Sequence, residues 1–129
     1  MIYAGTRFPH KYPRWPAVLN AGRMAWAWWP AGRLCAVHAD EEGEFFTFAL
    51  EAAGRELRLN VRTQRSGFVR VGLVGREGRS AEDCDVIFGD SPAATVRWRG
   101  EADAGVPAGQ PVTLHFQLRA ADIFGFEWV

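Results

Sequence analysis

From residue 23 onward, hydrophobic and polar residues alternate with a period of two, and glycine or proline interrupts the alternation at short intervals. Such alternation puts every second side chain on the same face of a β-strand. The inward positions that it predicts are Leu57, Leu59, Val61, Val69, Val71, Leu73, Val96, Trp98, Val112, Leu114, Phe116 and Leu118. Because no segment carries an apolar helical stripe longer than two turns, the pattern predicts an all-β fold.

The spacing of the alternating runs predicts about eight short strands. They cover residues 24–29, 33–39, 44–50, 55–62, 68–74, 94–99, 111–119 and 123–128. Turns are predicted where glycine, proline or acidic residues cluster, at 30–32, 40–43, 53–54, 65–67, 75–78 and 106–109. Residues 79–89 depart from this rhythm, and we expect them to cross between two sheets. The arrangement is typical of a single antiparallel β-sandwich with a jelly-roll-like topology.

The length and the pattern of the chain predict one main domain that follows a short lead-in. Its 129 residues are enough for a single hydrophobic core. Residues 1–22, which place three prolines among aromatic side chains, are predicted to be an extended lead-in packed on the body. Residues 23–129 are predicted to form the β-sandwich domain.

The composition argues against several classes of partner and protein. Fifteen basic residues balance fifteen acidic ones, and this balance argues against a nucleic-acid or membrane-surface partner, both of which require positive charge. The hydrophobic fraction of 48% excludes a disordered chain. No run of apolar residues is long enough to span a bilayer. All basic residues except Lys11 are arginine, which reflects either a GC-rich genome or a surface that presents guanidinium groups to anions or sugars.

The two cysteines are too far apart in sequence for a zinc motif and too few for a disulfide framework. Cys35 lies in the apolar run of residues 34–37, so we expect it to be a free thiol in the core. A bridge between Cys35 and Cys84 is the alternative.

Motifs for catalysis are lacking, and the chain is predicted not to be an enzyme. It has no nucleophile elbow, zinc-protease helix or phosphate-binding glycine loop. Its histidines, His10, His38 and His115, are widely separated and have no motif around them. A pair of carboxylates facing one cleft, as in glycosidases, is a feature that sequence does not reveal.

A cluster of acidic residues is a candidate for a structural calcium site. Asp83, Asp85 and Asp90 lie close together in sequence near Gly89, and oxygen-rich loops of sandwich domains hold structural calcium. The spacing fits no EF-hand, and the alternative is that these acids are solvated or cap turns. No other cofactor is predicted.

Tryptophan is the strongest compositional signal, with six residues in the chain. Trp26, Trp28 and Trp29 fall within four positions, and strand alternation separates Trp29 from the other two. Since one strand cannot bury all three, at least one is expected at the surface, where a flat ring stacks on the C–H face of a pyranose. The alternative is that these rings pack the core or dock a neighbouring domain.

Polar residues occupy the outward strand positions. Arg97, His115, Gln117 and Arg119 are the candidates for binding hydroxyl groups or anions, and Arg58, Asn60, Arg62 and Arg70 occupy similar positions. If these strands share a sheet, they form a locally basic face suited to a polar or anionic polysaccharide. Solvation of an antiparallel sheet explains the same pattern.

A series of short motifs points to a family. They are Gly32-Arg33-Leu34, Gly43-Glu44-Phe45-Phe46-Thr47, Leu57-Arg58-Leu59-Asn60, Gly67-Phe68-Val69-Arg70-Val71, Asp83-Cys84, Gly89-Asp90, Val96-Arg97-Trp98, Pro111-Val112-Thr113-Leu114-His115-Phe116 and Ala121-Asp122-Ile123-Phe124-Gly125-Phe126. This series resembles the C-terminal β-sandwich accessory domain of bacterial glycoside-hydrolase-like proteins of the five-bladed-propeller, invertase and fructosidase type. The resemblance covers residues 23–129 and implies an accessory domain, with the catalytic acids in a propeller. It assigns no ligand-binding residue.

Together these observations predict a non-catalytic carbohydrate-binding module or accessory domain. Trp28 and Trp29 are its predicted stacking platforms, and Arg97, His115, Gln117 and Arg119 its predicted polar contacts. The expected partners are a polysaccharide or oligosaccharide and a catalytic domain of a parent chain. The alternative is a structural domain that docks on a catalytic partner or self-associates. We expect secretion or a periplasmic location as part of a larger protein, although the first residues do not form an export signal.

Overall fold

The computed structural model describes residues 2–6 and 22–129, and the chain divides into two compact units, Met1–Ala31 and Gly32–Val129. In the first unit, β1 (Ile2–Thr6) pairs antiparallel with β2 (Gly22–Trp26). The remainder of the predicted lead-in, with His10 and Trp15, lies outside the described residues. The predicted strand 24–29 is displaced, because β2 ends at Trp26, and Trp28 and Trp29 follow the strand instead of lying on it.

The second unit is built on one antiparallel sheet of four strands, in the order β3-β8-β5-β6. A separate two-stranded ladder joins β4 to β7. The strands are β3 (Val37–Phe46), β4 (Leu50–Glu51), β5 (Leu57–Leu73), β6 (Asp90–Thr95), β7 (Pro111–Val112) and β8 (Leu114–Trp128). The described residues contain no helix, and hence none able to cross a membrane. The all-β prediction and the antiparallel sheet are confirmed.

The hydrophobic core lies against one face of this sheet. All the inward positions predicted from the alternation are buried, from Leu57 on β5 to Phe116 and Leu118 on β8. The core also contains side chains from outside the main sheet, which are Ala52, Cys84, Ile87, Val96, Trp98, Ala104, Val106 and Val112. Trp98 is fully buried, and its indole Nε1 donates a hydrogen bond to the Val71 carbonyl at 2.8 Å. The period-two pattern therefore identified the core face correctly.

Two of the predicted turns are wrong, because the residues form bulges within long strands. The acidic stretch 40–43 lies inside β3, where the register shifts between Ala39 and Glu42. The stretch 65–67 lies inside β5, where the register shifts between Thr63 and Phe68. Both irregularities face Ala120 of β8, whose φ is 42°. Three adjacent strands thus bend at one level of the sheet, and residues typical of turns serve the bend.

Strand boundaries near the C-terminus also differ from the prediction. The two predicted strands 111–119 and 123–128 become the short β7 followed by the single long β8. Residues 79–89 were expected to cross between sheets, but Ile87 exchanges backbone hydrogen bonds with Val69 of β5, and β6 continues along the same strand. The end of this stretch therefore lies beside β5, whereas Cys84 in its middle forms an isolated bridge with Trp98. The predicted strand 94–99 is displaced, since β6 ends at Thr95.

The prediction that Cys35 lies in the core is wrong. Strand β3 begins only at Val37, so Cys35 belongs to the loop before it and is exposed. The residue of this loop that is anchored to the sheet is Arg33, whose side chain is 11% exposed. Cys84 is buried, and this burial raises the pKa of its thiol to about 11. Both thiols are free.

Candidate functional site

The outward face of the sheet brings three strands together around β8. His115, Gln117 and Arg119 alternate along β8 with the buried Phe116 and Leu118. Register pairs His115 with Phe46 and Gly72, Gln117 with Glu44 and Arg70, and Arg119 with Glu42 and Phe68. We call these nine residues the outer face; they are Glu42, Glu44 and Phe46 on β3, Phe68, Arg70 and Gly72 on β5, and His115, Gln117 and Arg119 on β8.

An aromatic stack marks one end of the outer face. The rings of Phe46 and His115 lie parallel, with their centroids 4.2 Å apart and an angle of 8° between their planes. Phe46 is 57% exposed. His115 Nε2 donates to Glu44 Oε2 at 2.9 Å, because an ionised carboxylate can only accept. The result is a solvent-exposed flat ring held in place beside a carboxylate.

A loop carries a further carboxylate to this end of the face. The Ser80–Ala81 backbone packs so closely on Gly72 that a Cβ added there would lie 2.4 Å from the Ala81 nitrogen. The next residue is Glu82. Its own backbone N–H and the Ser80 side chain lower the pKa of its carboxyl, with smaller effects from Gln117 and His115. Glu82 lines the same cavity as His115, and the lowered pKa keeps its carboxyl ionised.

Two shallow cavities open along the outer face. One of about 400 Å³ is lined by Glu42, Gly43, Glu44, Phe68, Gln117 and Leu118. The other, of about 450 Å³, lies at the aromatic end, where its lining includes Phe46, Glu77, Glu82 and His115. Both combine ring surfaces with hydrogen-bonding groups, as small-molecule sites do.

The two arginines of the outer face are weakly bound. The Arg70 guanidinium lies over the Phe68 ring, 5.7 Å from its centroid. Its Nε is buried and has no hydrogen-bond acceptor among the described residues. Arg119 approaches Glu42 only to 3.9 Å. The terminal N–H groups of both arginines are therefore available to a ligand, whereas Arg70 Nε is enclosed by the protein.

The structure brings together three of the four polar residues predicted for the site. His115, Gln117 and Arg119 share the outer face, whereas Arg97 lies beyond the end of β6 and donates to the Gly100 carbonyl at 3.1 Å. The face was expected to be basic, but Glu42 and Glu44 of β3 and Glu82 make its charge mixed. The sequence could not reveal this because residues 40–43 were predicted to be a turn between the strands 33–39 and 44–50, and the pairing of these residues with β8 depends on residues distant in sequence.

The predicted stacking platforms lie in the first unit. Trp28 is 81% exposed and Trp29 is 36% exposed, so the prediction that at least one of these rings is at the surface is confirmed. Phe46 and Phe68 were not predicted as site residues. The neighbouring pair Phe45 and Phe46 carried a usable signal, because alternation must turn one ring inward and the other outward; Phe45 stacks on Phe116 in the core.

A second polar cluster lies beyond the bend, where His38 joins three strands. Its Nδ1 is 2.7 Å from Asp122 of β8, and its Nε2 is 2.9 Å from Asp40 of β3. Two carboxylates can only accept, so both ring nitrogens donate and the imidazole is protonated. The hydrogen bonds from Asp40 and then Asp122 raise the pKa of His38. Burial alone would raise the pKa of Asp122, but hydrogen bonds from Arg62 of β5 and from His38 lower it.

This cluster predicts a pH-dependent stability. Because the folded-state pKa of His38 is raised, its contribution should be complete below about pH 6.5 and lost as the pH rises through the folded value. The His38→Gln variant should therefore be less stable than the parent at low pH, and the difference should shrink as the pH rises. Asp40, Asp122 and Arg62 face the ring, and Arg62 opposes its charge.

Urea unfolding of both proteins between about pH 5.5 and pH 8.5 tests this, since the range spans the usual histidine pKa of about 6.5. A stability difference that stays constant or grows with pH would show that His38 is not protonated in the fold.

The acids suggested as calcium ligands each have protein partners. Asp83 accepts from the Ser80 hydroxyl at 2.9 Å and pairs with Arg99. Asp85 accepts from the Gly100 N–H at 3.0 Å. Asp90 pairs with Arg33 at 2.6 Å, and Arg33 also donates to Asn60 at 2.8 Å. Within residues 2–6 and 22–129, no group of three His, Cys, Asp or Glu side chains could share a metal ion. The calcium hypothesis thus gains no support from the geometry.

Comparisons with known proteins add no relative, since no protein family, curated protein or solved structure matches the chain. The resemblance to accessory domains of glycoside-hydrolase-like proteins therefore stays a prediction.

Proposed function

We propose that the chain is a non-catalytic carbohydrate-binding domain, and that its outer face holds the polysaccharide. The observation that carries this proposal is the exposed Phe46 ring, fixed parallel to His115 and flanked by Glu44 and Gln117. This combination suits sugars, because their C–H faces stack on flat rings while their hydroxyl groups exchange hydrogen bonds with side chains at the rim.

The shape of the outer face favours a polymer over a small metabolite. The two cavities lie on the same face of the sheet. Strand β8 contributes Gln117 to the lining of one cavity and His115 to the lining of the other. A sugar chain lying across β3, β8 and β5 would meet Phe46 at one end of the face and Phe68 further along. Different units of one sugar chain would then contact the two aromatic rings.

The electrostatics of the acids favour binding over catalysis. A general acid needs a raised pKa so that it carries a proton near neutral pH. Here the pKa of Glu82 is lowered, chiefly by its own backbone N–H and by Ser80. Glu44 is tied to His115 at 2.9 Å. Both carboxylates are suited to accept hydrogen bonds from hydroxyl groups.

The proposal also includes the finer features expected from the sequence. These are a jelly-roll-like sandwich, Trp28 and Trp29 as further stacking platforms, and a role as an accessory domain of a larger glycoside-hydrolase-like protein. The exposure of Trp28 supports the second of these, and alanine variants at both positions test it separately from the outer face.

Affinity gel electrophoresis against plant, algal and bacterial polysaccharides tests the function. We expect at least one polymer to retard the protein, and Phe46→Ala to weaken that binding about tenfold, which corresponds to about 1.4 kcal/mol. Phe88→Ala is the matched control, because Phe88 is 76% exposed and lies outside the outer face.

Equal retardation of the Phe46→Ala variant and the parent would move the site elsewhere, and retardation by no polymer would refute the function. The alternative, a docking or self-associating domain, is favoured by the exposure of Trp26, Trp28 and Trp29 in the first unit. It predicts a dimer in size-exclusion chromatography with light scattering, and a monomer after Trp28→Ala.

A further inference from the structure

We infer that the ligand of the outer face is an uncharged polysaccharide and that Arg70 anchors one of its hydroxyl groups. This inference rests on the proposed function and narrows it to a chemical class. It departs from the anionic polysaccharide that the arginines in the sequence suggested.

The balance of charges on and beside the outer face disfavours a charged sugar. Among the described residues, the carboxylates are Glu42 and Glu44 on β3 with Glu77 and Glu82 beside the aromatic end, and the guanidinium groups are Arg70 and Arg119 with Arg76 beside the aromatic end. Register alternates these groups, since Gln117 lies between Glu44 and Arg70, and Arg119 lies between Glu42 and Phe68. A polymer with a carboxylate on each unit would meet the acids, and one with an ammonium group on each unit would meet the arginines.

Hydroxyl groups suit the same arrangement. A hydroxyl can accept from a guanidinium or amide and donate to a carboxylate at the same time. The alternation of Glu44, Gln117 and Arg70 across three strands offers acceptor, amide and donor in turn. Each sugar hydroxyl would therefore find a hydrogen-bond partner, and an uncharged sugar would not be repelled by the acids or by the arginines.

Arg70 is the group that most needs a ligand. Its Nε is shielded from water and lacks an acceptor among the described residues, and an unsatisfied buried donor destabilises the protein. Phe68 lies under its guanidinium and fixes the plane of the group. The terminal N–H groups of Arg70 are not enclosed in this way and have no hydrogen-bond acceptor among the described residues. A sugar hydroxyl would bind there, so Arg70 is predicted to be a specificity-determining residue.

The test compares polymers of three charges in affinity gels. The neutral probes are hydroxyethylcellulose, β-glucan, xyloglucan and galactomannan; the acidic probes are polygalacturonate and alginate; the cationic probe is glycol chitosan. Each is run at about 0.1 M and about 1 M NaCl, where the Debye length falls from about 10 Å to about 3 Å. We expect a neutral polymer to bind the protein, with a dissociation constant that changes less than about twofold between the two salt concentrations.

The variant Arg70→Met keeps an apolar side chain over Phe68 and removes the donors. It should weaken binding of the neutral polymer about tenfold, or about 1.4 kcal/mol. The melting temperature should be no lower than that of the parent, because the variant also removes the unsatisfied Nε donor. Arg65→Met is the matched control, since Arg65 is exposed and lies in the bulge of β5.

The outcomes separate the inference from the function. Retardation only by acidic polymers, or only by glycol chitosan, overturns the neutral ligand and leaves the binding function standing. Retardation by no polymer overturns both. Neutral binding that Arg70→Met leaves unchanged overturns the anchoring role of Arg70.

Discussion

Replacing Trp98 with alanine should lower the free energy of unfolding by about 3–5 kcal/mol. Trp98 is fully buried in the core, although it lies beyond the end of β6. Its loss leaves a large cavity, and it also removes the donor that the buried Val71 carbonyl accepts from at 2.8 Å. The cost is a large fraction of the total stability of a domain, which is about 5–15 kcal/mol.

Trp28→Ala is the control for this experiment, because the same side chain is removed from a position that is 81% exposed. It should change stability by less than about 0.5 kcal/mol. Urea unfolding followed by circular dichroism measures both variants. If Trp98→Ala unfolds at the same urea concentration as the parent, Trp98 is not the centre of the core.

The second large effect is expected at Gly72. A methyl group there would lie 2.4 Å from the backbone nitrogen of Ala81 and 2.9 Å from the Ser80 carbonyl carbon. The loop would have to move in the variant. This movement would strain the hydrogen bond from the Leu73 N–H to the Arg79 carbonyl, which is 2.7 Å long in the parent. We expect Gly72→Ala to cost about 1–3 kcal/mol, as overpacking of a well-packed site does. Because the same loop carries Glu82, polysaccharide binding should weaken as well.

Gly125→Ala provides the comparison. Its added Cβ meets nothing within 4 Å, and its φ lies outside the left-handed region. Thermal unfolding of the two variants should therefore give a lowered melting temperature for Gly72→Ala and a nearly unchanged one for Gly125→Ala. Equal melting temperatures would mean that the loop does not pack against Gly72.

The period-two pattern predicted which side chains are buried because it depends only on strand geometry. Leu57 and Leu59 of β5, like Leu114 and Phe116 of β8, are inward in any sheet that contains those strands. The pattern held even for Val96 and Trp98, which are buried beyond the end of β6. Whether a side chain is buried thus depends more on the neighbouring sequence than the length of a strand does.

Strand length and pairing could not be predicted because they depend on residues distant in sequence. Glycine with polar neighbours serves a turn or a bulge equally well, and at 40–43 and 65–67 the choice follows from the long strand β8 alongside. A partner that keeps pairing across the irregularity makes it a bulge. The sequence of each segment alone carries no information about this partner.

The residues of the candidate site also fall into a predictable and an unpredictable group. His115, Gln117 and Arg119 were predictable because they share one strand face. Their neighbours Glu44 and Phe46, and Glu82 from the loop, depend on pairing and on a close backbone contact at Gly72. These neighbours changed the expected face from basic to mixed, and with it the class of ligand proposed.

Nuclear magnetic resonance tests the central claim, that the outer face binds sugar, most directly. Cello-, xylo-, laminari- and mannohexaose would be titrated separately into the isotopically labelled protein, and amide chemical shifts would be followed residue by residue. The proposal predicts that at least one of them shifts the amides of Phe46, Phe68, Arg70, His115 and Gln117. Binding that leaves these amides unshifted, or no shift with any hexasaccharide, would contradict it.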